Sequence, residues 1–309
     1  MRIGVDLGGT NVRAGLVKDG RIVRLLSEPC KADRPEGEVV DHIASLIGEL
    51  MRPEVSRIGI GVPSVVDAAR GIVYNVVGIP SWREVYLKDL LEKRFGVPVY
   101  VNNDCNCFAL GVSRFGEASA FSDVVCVALG TGVGGGVVLG GKLLTGYTGA
   151  ASEIGHMVIA ENGEECTCGS RGCFEAYSSA TALIRDTKRT MAAHPESLLH
   201  AIAAEQGGVD GRTAFLAKER GDEAGAQVVE DYIEHLACGL TNLVNIFFPE
   251  VLALSGGVAN QGDALLLPLR ERVRERSFGS RYAVSHTRIE LCTLGYRAGV
   301  IGAAMLARE

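Results

Sequence analysis

No stretch of this 309-residue chain gathers lysine and arginine into a run, and 31 Lys+Arg face 37 Asp+Glu for a net charge of −6. A nucleic-acid surface normally shows a basic excess or stripe, so no nucleic-acid partner is expected. Uninterrupted apolar segments of the ~18–20 residues that cross a bilayer are missing as well, so no membrane helix is expected. The first ten residues, MRIGVDLGGT, reach Asp6 and then glycines without the apolar core of a secretory signal. The expected location is therefore a reducing cytoplasm, with the nine cysteines as thiols or metal ligands and not as disulfides.

What is present is ample core material. Hydrophobic residues make up 47% of the chain, and the length suits about two domains. The 40 glycines are many more than the usual ~7% would give. They lack the period of collagen and cluster between apolar stretches, which suggests loops whose backbone approaches something closely.

Residues 2–7 read as a buried strand ending in Gly8-Gly9, and 11–18 and 21–26 as two more strands joined by the Asp19-Gly20 hairpin signal. Helical spacing marks 38–51, a strand 57–62 stops at Pro63, and a short helix over 86–95 ends at Gly96. A strand over 97–101 leads into Asn102-Asn103-Asp104 and a helix over 105–115. A second unit opens at 123 with a strand, a GTGVGG turn, a strand GVVLGG and its continuation KLLTG. Residues 148–179 are rich in Gly, Cys and Ser without clear period. A long helix over 225–248 follows, then strands at 251–255 and 288–293 and a closing helix at 296–307. Residues 5–20 and 127–141 share one plan of strand, glycine turn, strand, glycine turn. That echo predicts two similar α/β halves with a cleft between them.

Three glycine turns end apolar strands: Asp6-Leu7-Gly8-Gly9-Thr10, Gly130-Thr131-Gly132, and Ser255-Gly256-Gly257. Each alone is a tight turn. Together they fit backbone cradles for nucleotide phosphates, where glycine removes the Cβ that would block the approach. Two rival phosphate motifs fail on context. Gly130-x-Gly132-x-x-Gly135 should open a helix but runs into a strand pattern. Gly136 to Lys142 nearly matches a P-loop, yet Leu143 stands where Ser or Thr would hold Mg²⁺.

His156, Cys166, Cys168 and Cys173 fall within 18 residues. Three thiolates and one imidazole suit a closed tetrahedral Zn²⁺ site of structural type, and the aperiodic segment around them needs something to hold it. Free thiols in a loop are the alternative. Cys30, Cys105, Cys107, Cys126, Cys238 and Cys292 read as small core residues. Among the carboxylates, Asp104 follows a strand at the mouth of a helix, where it is equally a helix N-cap or a general base. Asp6 ends the first strand, and Glu153 and Glu175 flank the cysteine cluster.

The ordered set VDLGGTNVRAG, GIGVPS, GIPSW, VNNDCNCFALG, LGTGVGGGVVLGGKLLTG, SEIGHM, CTCGSRGCFEAYSSATAL and LSGGV resembles the ROK family of bacterial sugar kinases over essentially the whole chain. The match looks strongest to its glucokinase-like members. The resemblance implies an α/β fold of two ribonuclease-H-like domains of actin/hexokinase type, with a cleft between them. The expected domains are 1–117 with 296–309, and 118–295 carrying the zinc motif. It implies an ATP-dependent hexose 6-kinase with Asp104 as catalytic base. Ser64, Asn103, Glu153, His156 and Glu175 would contact the sugar. His156 would serve twice, one ring nitrogen on Zn²⁺ and the other toward the sugar. Asp6, Gly8, Gly9, Thr10, Asn11, Gly130, Thr131, Gly132, Gly256 and Gly257 would line the ATP·Mg²⁺ site. Family members are commonly dimers or tetramers, so a homodimer or homotetramer is expected, as is domain closure on the sugar. The helix over 225–248 is either a rigid element beside the hinge or a plain core helix.

Three departures stand out. Ser64 and Ser152 replace residues that are usually Gly in the family, and Val112 replaces a frequent Glu. They leave N-acetylmannosamine, N-acetylglucosamine, fructose and allose beside glucose as substrates. Two other classes compete: a sugar-responsive repressor, for which a DNA-binding domain would have to precede the strand at Arg2, and a catalytically silent sugar-binding protein.

Overall fold

A computed structural model describes every residue except 77, 283, 284, 308 and 309. The last two of these belong to the segment expected to close the first domain, and that part of the expectation lies outside the described residues. By packing, the chain divides into two compact units: 1–126 with 136–152 and 292–309, and 127–135 with 153–291.

The first unit is built on a five-stranded sheet. Strands β1 (Arg2–Leu7), β2 (Asn11–Lys18) and β3 (Arg21–Pro29) form an antiparallel meander. Asp19 and Gly20, at φ 49° and 73°, make its second turn, where the primed hairpin turn requires positive φ. Helix α1 (Glu36–Leu50) buries Val39, Ile43, Leu46, Ile47 and Leu50 and leads to β4 (Ile58–Val62), which pairs parallel with β1. Short strands β5 (Val65–Asp67), β6 (Ile72–Tyr74) and β7 (Glu84–Val85) make a small separate sheet. The sequence reading missed them because two or three residues show no period. Helix α2 (Leu87–Phe95) ends at Gly96 in the left-handed conformation. Strand β8 (Val99–Asn103) pairs parallel with β4 and feeds helix α3 (Asp104–Phe115). The sheet order is β3-β2-β1-β4-β8.

Strands β9 (Val124–Leu129) and β10 (Val133–Leu139) open the second half. Here the structure corrects two expectations. Gly134, Gly135 and Gly136 lie inside β10, so the turn is shorter than GTGVGG. The KLLTG segment contributes β11 (Lys142–Leu143), which turns back antiparallel to β10 and does not continue it. Beyond an irregular stretch come α4 (Glu175–Ser178), α5 (Ala180–Ala193), α6 (Leu199–Gln206), α7 (Thr213–Glu219) and α8 (Glu223–Phe247). Asp222 caps α8 by accepting the Gly225 N–H at 2.6 Å. The helix buries Val228, Val229, Tyr232, Ile233, Leu236 and Leu240, so it is a core helix of its unit. Strand β12 (Val251–Ser255), helices α9 (Asp263–Arg276) and α10 (Phe278–Tyr282), strand β13 (Arg288–Leu291) and helix α11 (Arg297–Met305) complete the chain. The second sheet runs β11-β10-β9-β12-β13, with β12 and β13 parallel. It repeats the order third, second, first, fourth, fifth of the first sheet, so the sequence echo is a duplicated topology.

The packing division departs from the expected boundary at 117/118, because 118–126 and 136–152 group with the first unit. A Cβ on Gly136 would meet the Ala109 side chain at 2.6 Å and the Cys105 carbonyl at 2.8 Å, both on α3. Many glycines also serve packing and no ligand. A Cβ on Gly59 would stand 1.8 Å from the Ala303 carbonyl, and one on Gly302 would stand 1.6 Å from that of Cys107. These contacts seat α11 directly on β4 and α3. No helix among the described residues is long and apolar enough to cross a membrane.

Candidate active site and metal centre

In the first unit, three parallel strands bring their carboxyl ends together. The register pairs Asp6 with Gly61, Gly61 with Asn102 and Val62 with Asn103. Carboxyl ends of neighbouring parallel strands are where open α/β sheets hold ligands. Asp6, Ser64, Asn103 and Asp104 all sit there. The Gly8–Thr10 turn is closed by the Gly8 N–H donating to the Asn11 carbonyl at 2.9 Å, with Gly9 and Thr10 exposed at its tip.

The structure gives the N-cap role at the mouth of α3 to the residue before Asp104. The N-cap of α3 is Asn103, whose Oδ1 accepts the Cys105 and Asn106 N–H groups at 2.8 and 3.1 Å. Asp104 is the first helical residue; its Oδ1 accepts the adjacent Cys105 N–H at 2.8 Å, and the Cys105 side chain also hydrogen-bonds its carboxylate. Burial holds its carboxyl above the usual carboxylate range. Asp6 is pushed up to about 6, first by burial and next by the Asp104 charge, while Arg13 opposes the shift. Arg13 is a residue the sequence reading missed. It lies 3.6 Å from Asp6, and its guanidinium stacks 5.1 Å from the Tyr296 ring centroid. The hairpin register that pairs Asp6 with Arg13 was the available signal.

Ser64 and Asn103 are tied to each other and to backbone. The Ser64 hydroxyl donates to the Tyr74 carbonyl, and Asn103 Nδ2 donates to the Ser64 carbonyl at 3.3 Å. Ser152 holds a left-handed backbone at φ 69°, with its hydroxyl donating to Leu144 at 3.2 Å.

In the second unit, Gly130, Thr131 and Gly132 form the tight turn between β9 and β10, closed by the Gly130 N–H donating to the Gly132 carbonyl at 3.0 Å. Thr131 is exposed, and its carbonyl accepts the Thr181 hydroxyl at 2.7 Å. Gly256, at φ 92°, has room only for hydrogen, because a Cβ would stand 2.3 Å from the Leu129 carbonyl. Gly257 beside it faces open space.

Glu175 joins this turn to the cysteine cluster. Its Oε2 accepts the Val133 N–H at 2.9 Å and its Oε1 accepts the Thr167 hydroxyl at 3.0 Å. Glu153 and His156 are exposed at the two ends of a single 3₁₀ turn. The donor atoms of His156, Cys166, Cys168 and Cys173 all lie within 4.8 Å of one another. Cys166 Sγ is 3.7 Å from His156 Nδ1, and Cys168 Sγ is 3.7 Å from Cys173 Sγ. Ligands at 2.0–2.3 Å from one tetrahedral ion stand about 3.4–3.8 Å apart. These two pairs stand at the spacing that ligands of one tetrahedral ion require. Of the other cysteines, Cys30, Cys107 and Cys126 are buried as expected, whereas Cys105, Cys238 and Cys292 are half-buried.

Two α/β units with duplicated sheet order, carrying acidic strand ends and glycine turns, define the two-domain actin/hexokinase-type fold. The ROK family model matches residues 2–309, and the chain belongs to that family. It is 37% identical to the glucokinase of Thermotoga maritima over 99% of this chain and 97% of that one. The structure of a ROK glucokinase from Streptomyces griseus, solved with glucose and AMPPNP, covers 99% of both chains with TM-score 0.83 and 35% identity. The xylose repressor of Caldicellulosiruptor bescii is 29% identical over 97% of this chain, which spans 76% of that protein.

Proposed function

We propose that this protein is an ATP-dependent hexose 6-kinase whose preferred sugar is glucose. The observation that carries the reading is the match, over 99% of both chains, to a glucokinase holding glucose and an ATP analogue. The geometry around Asp104 supports it. A hexose hydroxyl attacks phosphorus well only as its proton leaves, and a carboxylate made more basic by burial is suited to take it. The oxygen of the 6-hydroxyl bonds to the γ-phosphorus, the bond from phosphorus to the bridging oxygen breaks, ADP departs and the proton resides on Asp104.

Asn103, Glu153, His156 and Glu175 are assigned to the sugar hydroxyls, with Ser64 beside them. Asp6, Gly8, Gly9, Thr10 and Asn11, together with Gly130, Thr131, Gly132, Gly256 and Gly257, are assigned to ATP and Mg²⁺. Mg²⁺, when bound, neutralises phosphate charge. Zn²⁺ is assigned to His156 Nδ1 and the three cysteine thiolates as a structural ion, which leaves His156 Nε2 for the sugar. All four positions are filled by protein, so this ion activates no water.

Glucose is favoured over an N-acetylhexosamine because the hydroxyl hydrogens of Ser64 and Ser152 are both committed to backbone carbonyls. Neither can donate to an acetamido carbonyl without breaking that bond. The test is kcat/KM for ATP-dependent phosphorylation of glucose, mannose, fructose, allose, N-acetylglucosamine and N-acetylmannosamine. Glucose should lead. An N-acetyl sugar ahead by about tenfold, some 1.4 kcal/mol of transition-state binding, removes the glucose assignment and leaves the kinase reading intact. No turnover with any of them removes the kinase reading. A homodimer or homotetramer belongs to the same proposal, and light scattering in solution measures it.

A further inference from the structure

The first unit holds a cavity of about 910 Å³ that none of the candidate sugar or phosphate residues lines. Its walls come from α2, the edge strand β8, α3, the β10–β11 turn and the end of α11. Three cations face it: Lys88, Arg114 and Lys142. None makes an ion pair among the described residues, and Arg114 donates only to the Gly141 carbonyl, at 2.7 Å. The one lining carboxylate, Glu92, already accepts the Val99 N–H with one oxygen, at 2.9 Å.

A buried amide adds to this. Asn102 is 6% exposed. Its Oδ1 is taken by the Asn103 N–H at 2.8 Å and Asn106 Nδ2 at 3.0 Å. Asn102 is among the residues that line the cavity, and its NH₂ donates to no described residue. That NH₂ is not one of the buried atoms left without a partner, so it is open to solvent and available to an acceptor that enters the cavity. Tyr100 and Thr145 line the same space. The lining is thus rich in donors, with three positive charges against one negative. An excess of about two charges matches a phosphate monoester, which carries −1.5 to −2 near neutrality. Leu110, Leu143 and Leu306 add an apolar wall for the body of the ligand.

We propose that this cavity is a second ligand site, taking a small organic phosphate. We further infer that its occupancy acts on phosphoryl transfer, a part that rests on the kinase reading. The route is short. The amide that would meet the ligand belongs to the residue whose Oδ1 fixes the Asn103 N–H and the Asn106 side chain, on either side of Asp104. A ligand that pulls on Asn102 therefore changes the turn that aims the base.

Isothermal titration tests the site with ribose 5-phosphate, 3-phosphoglycerate, glucose 6-phosphate and inorganic phosphate. Glucose and AMPPNP are kept saturating so that the catalytic site is filled. At least one organic phosphate should bind saturably, one per chain, more tightly than inorganic phosphate and more weakly as salt rises. Lys142→Glu and Lys88→Glu, each made singly, should weaken it at least tenfold while leaving kcat without effector unchanged. Asp104→Asn should bind the probe as the parent protein does. No saturable binding by any probe at millimolar concentration overturns the site, as does binding that neither lysine change weakens. Inorganic phosphate binding as tightly as the organic probes overturns the ligand class. Binding that leaves kcat and KM for both substrates unmoved overturns the regulatory role alone. Loss of catalysis with binding intact counts against the kinase reading and not against the cavity.

Discussion

The carboxylate of Glu175 occupies the space a side chain at residue 132 would need: a Cβ on Gly132 would stand 2.2 Å from Glu175 Oε2, the atom that accepts the Val133 N–H. One glycine thus does two things. It closes the turn between β9 and β10, and it lets a glutamate from the far side of the cysteine cluster dock on that turn. Gly132→Ala should lower stability by about 1–3 kcal/mol, because moving Glu175 Oε2 aside leaves the buried Val133 N–H without its acceptor. It should raise KM for glucose about tenfold, the cost of losing one hydrogen bond to a charged acceptor. Steady-state kinetics beside a melting curve check it. An unchanged KM would detach Glu175 from the sugar.

Asp104→Asn keeps the shape of the side chain and removes the proton acceptor. Its kcat should fall by roughly 10²–10⁴, the range for losing a general base. Glucose binding should persist, because Asn103 and the other assigned contacts remain. Turnover close to that of the parent would remove Asp104 as base.

How far the sequence carried the fold depended on the length of each signal. The meander β1–β3 was legible from apolar runs bounded by Gly8-Gly9 and by the Asp19-Gly20 hairpin signal, and helices α1 and α8 because each repeats its period several times over, as the row of buried residues on α8 shows. The β5–β7 sheet and the alanine-rich helices α5 to α7 were not, since two- or three-residue strands and small side chains leave little periodic contrast. At the site, residue types and spacing gave His156, Cys166, Cys168 and Cys173. Division of labour was hidden. That Asn103 and not Asp104 caps α3 is a matter of which oxygen reaches which N–H, and Arg13 meets Asp6 only through a cross-strand register.

The cysteine cluster predicts one Zn²⁺ per chain by elemental analysis. Cys168→Ser should lose the metal and open 157–175 to limited proteolysis, because the β-structure of that segment is limited to the isolated bridges Val158 to Cys173 and Glu165 to Arg171. Activity should fall with it, since His156 and Glu175 are anchored by the same segment. A metal-free protein of full activity and normal protease resistance would rule the site out.

Ser152 sits at φ 69°, where a Cβ is strained and glycine is not. Its hydroxyl bond to Leu144 offsets part of that strain. Two substitutions separate the terms, because both delete the hydroxyl and only one keeps the Cβ. Ser152→Gly should be more stable than Ser152→Ala by about 0.5–1 kcal/mol, after allowing for the greater freedom of unfolded glycine. Denaturant titration gives the difference. The reverse order would show that the backbone at 152 is not strained.

Asp6 couples stability to pH. Its carboxyl titrates at about 6 in the folded chain, against about 3.9 for an unfolded aspartate. Between those values the folded state holds a proton that the unfolded state has released. Stability therefore falls as pH rises through that window, and above pH ~6 the full penalty is in force. A shift of this size corresponds to about 2–3 kcal/mol for a side chain that is 16% exposed. Asp6→Asn removes the charge that burial and Asp104 oppose. The variant should melt above the parent at about pH 7.5, with the advantage shrinking to little or nothing near pH 4, where Asp6 is already protonated. Thermal melts across this range, without nucleotide or sugar, measure it. An advantage that does not change with pH would assign the gain to packing rather than to the buried charge.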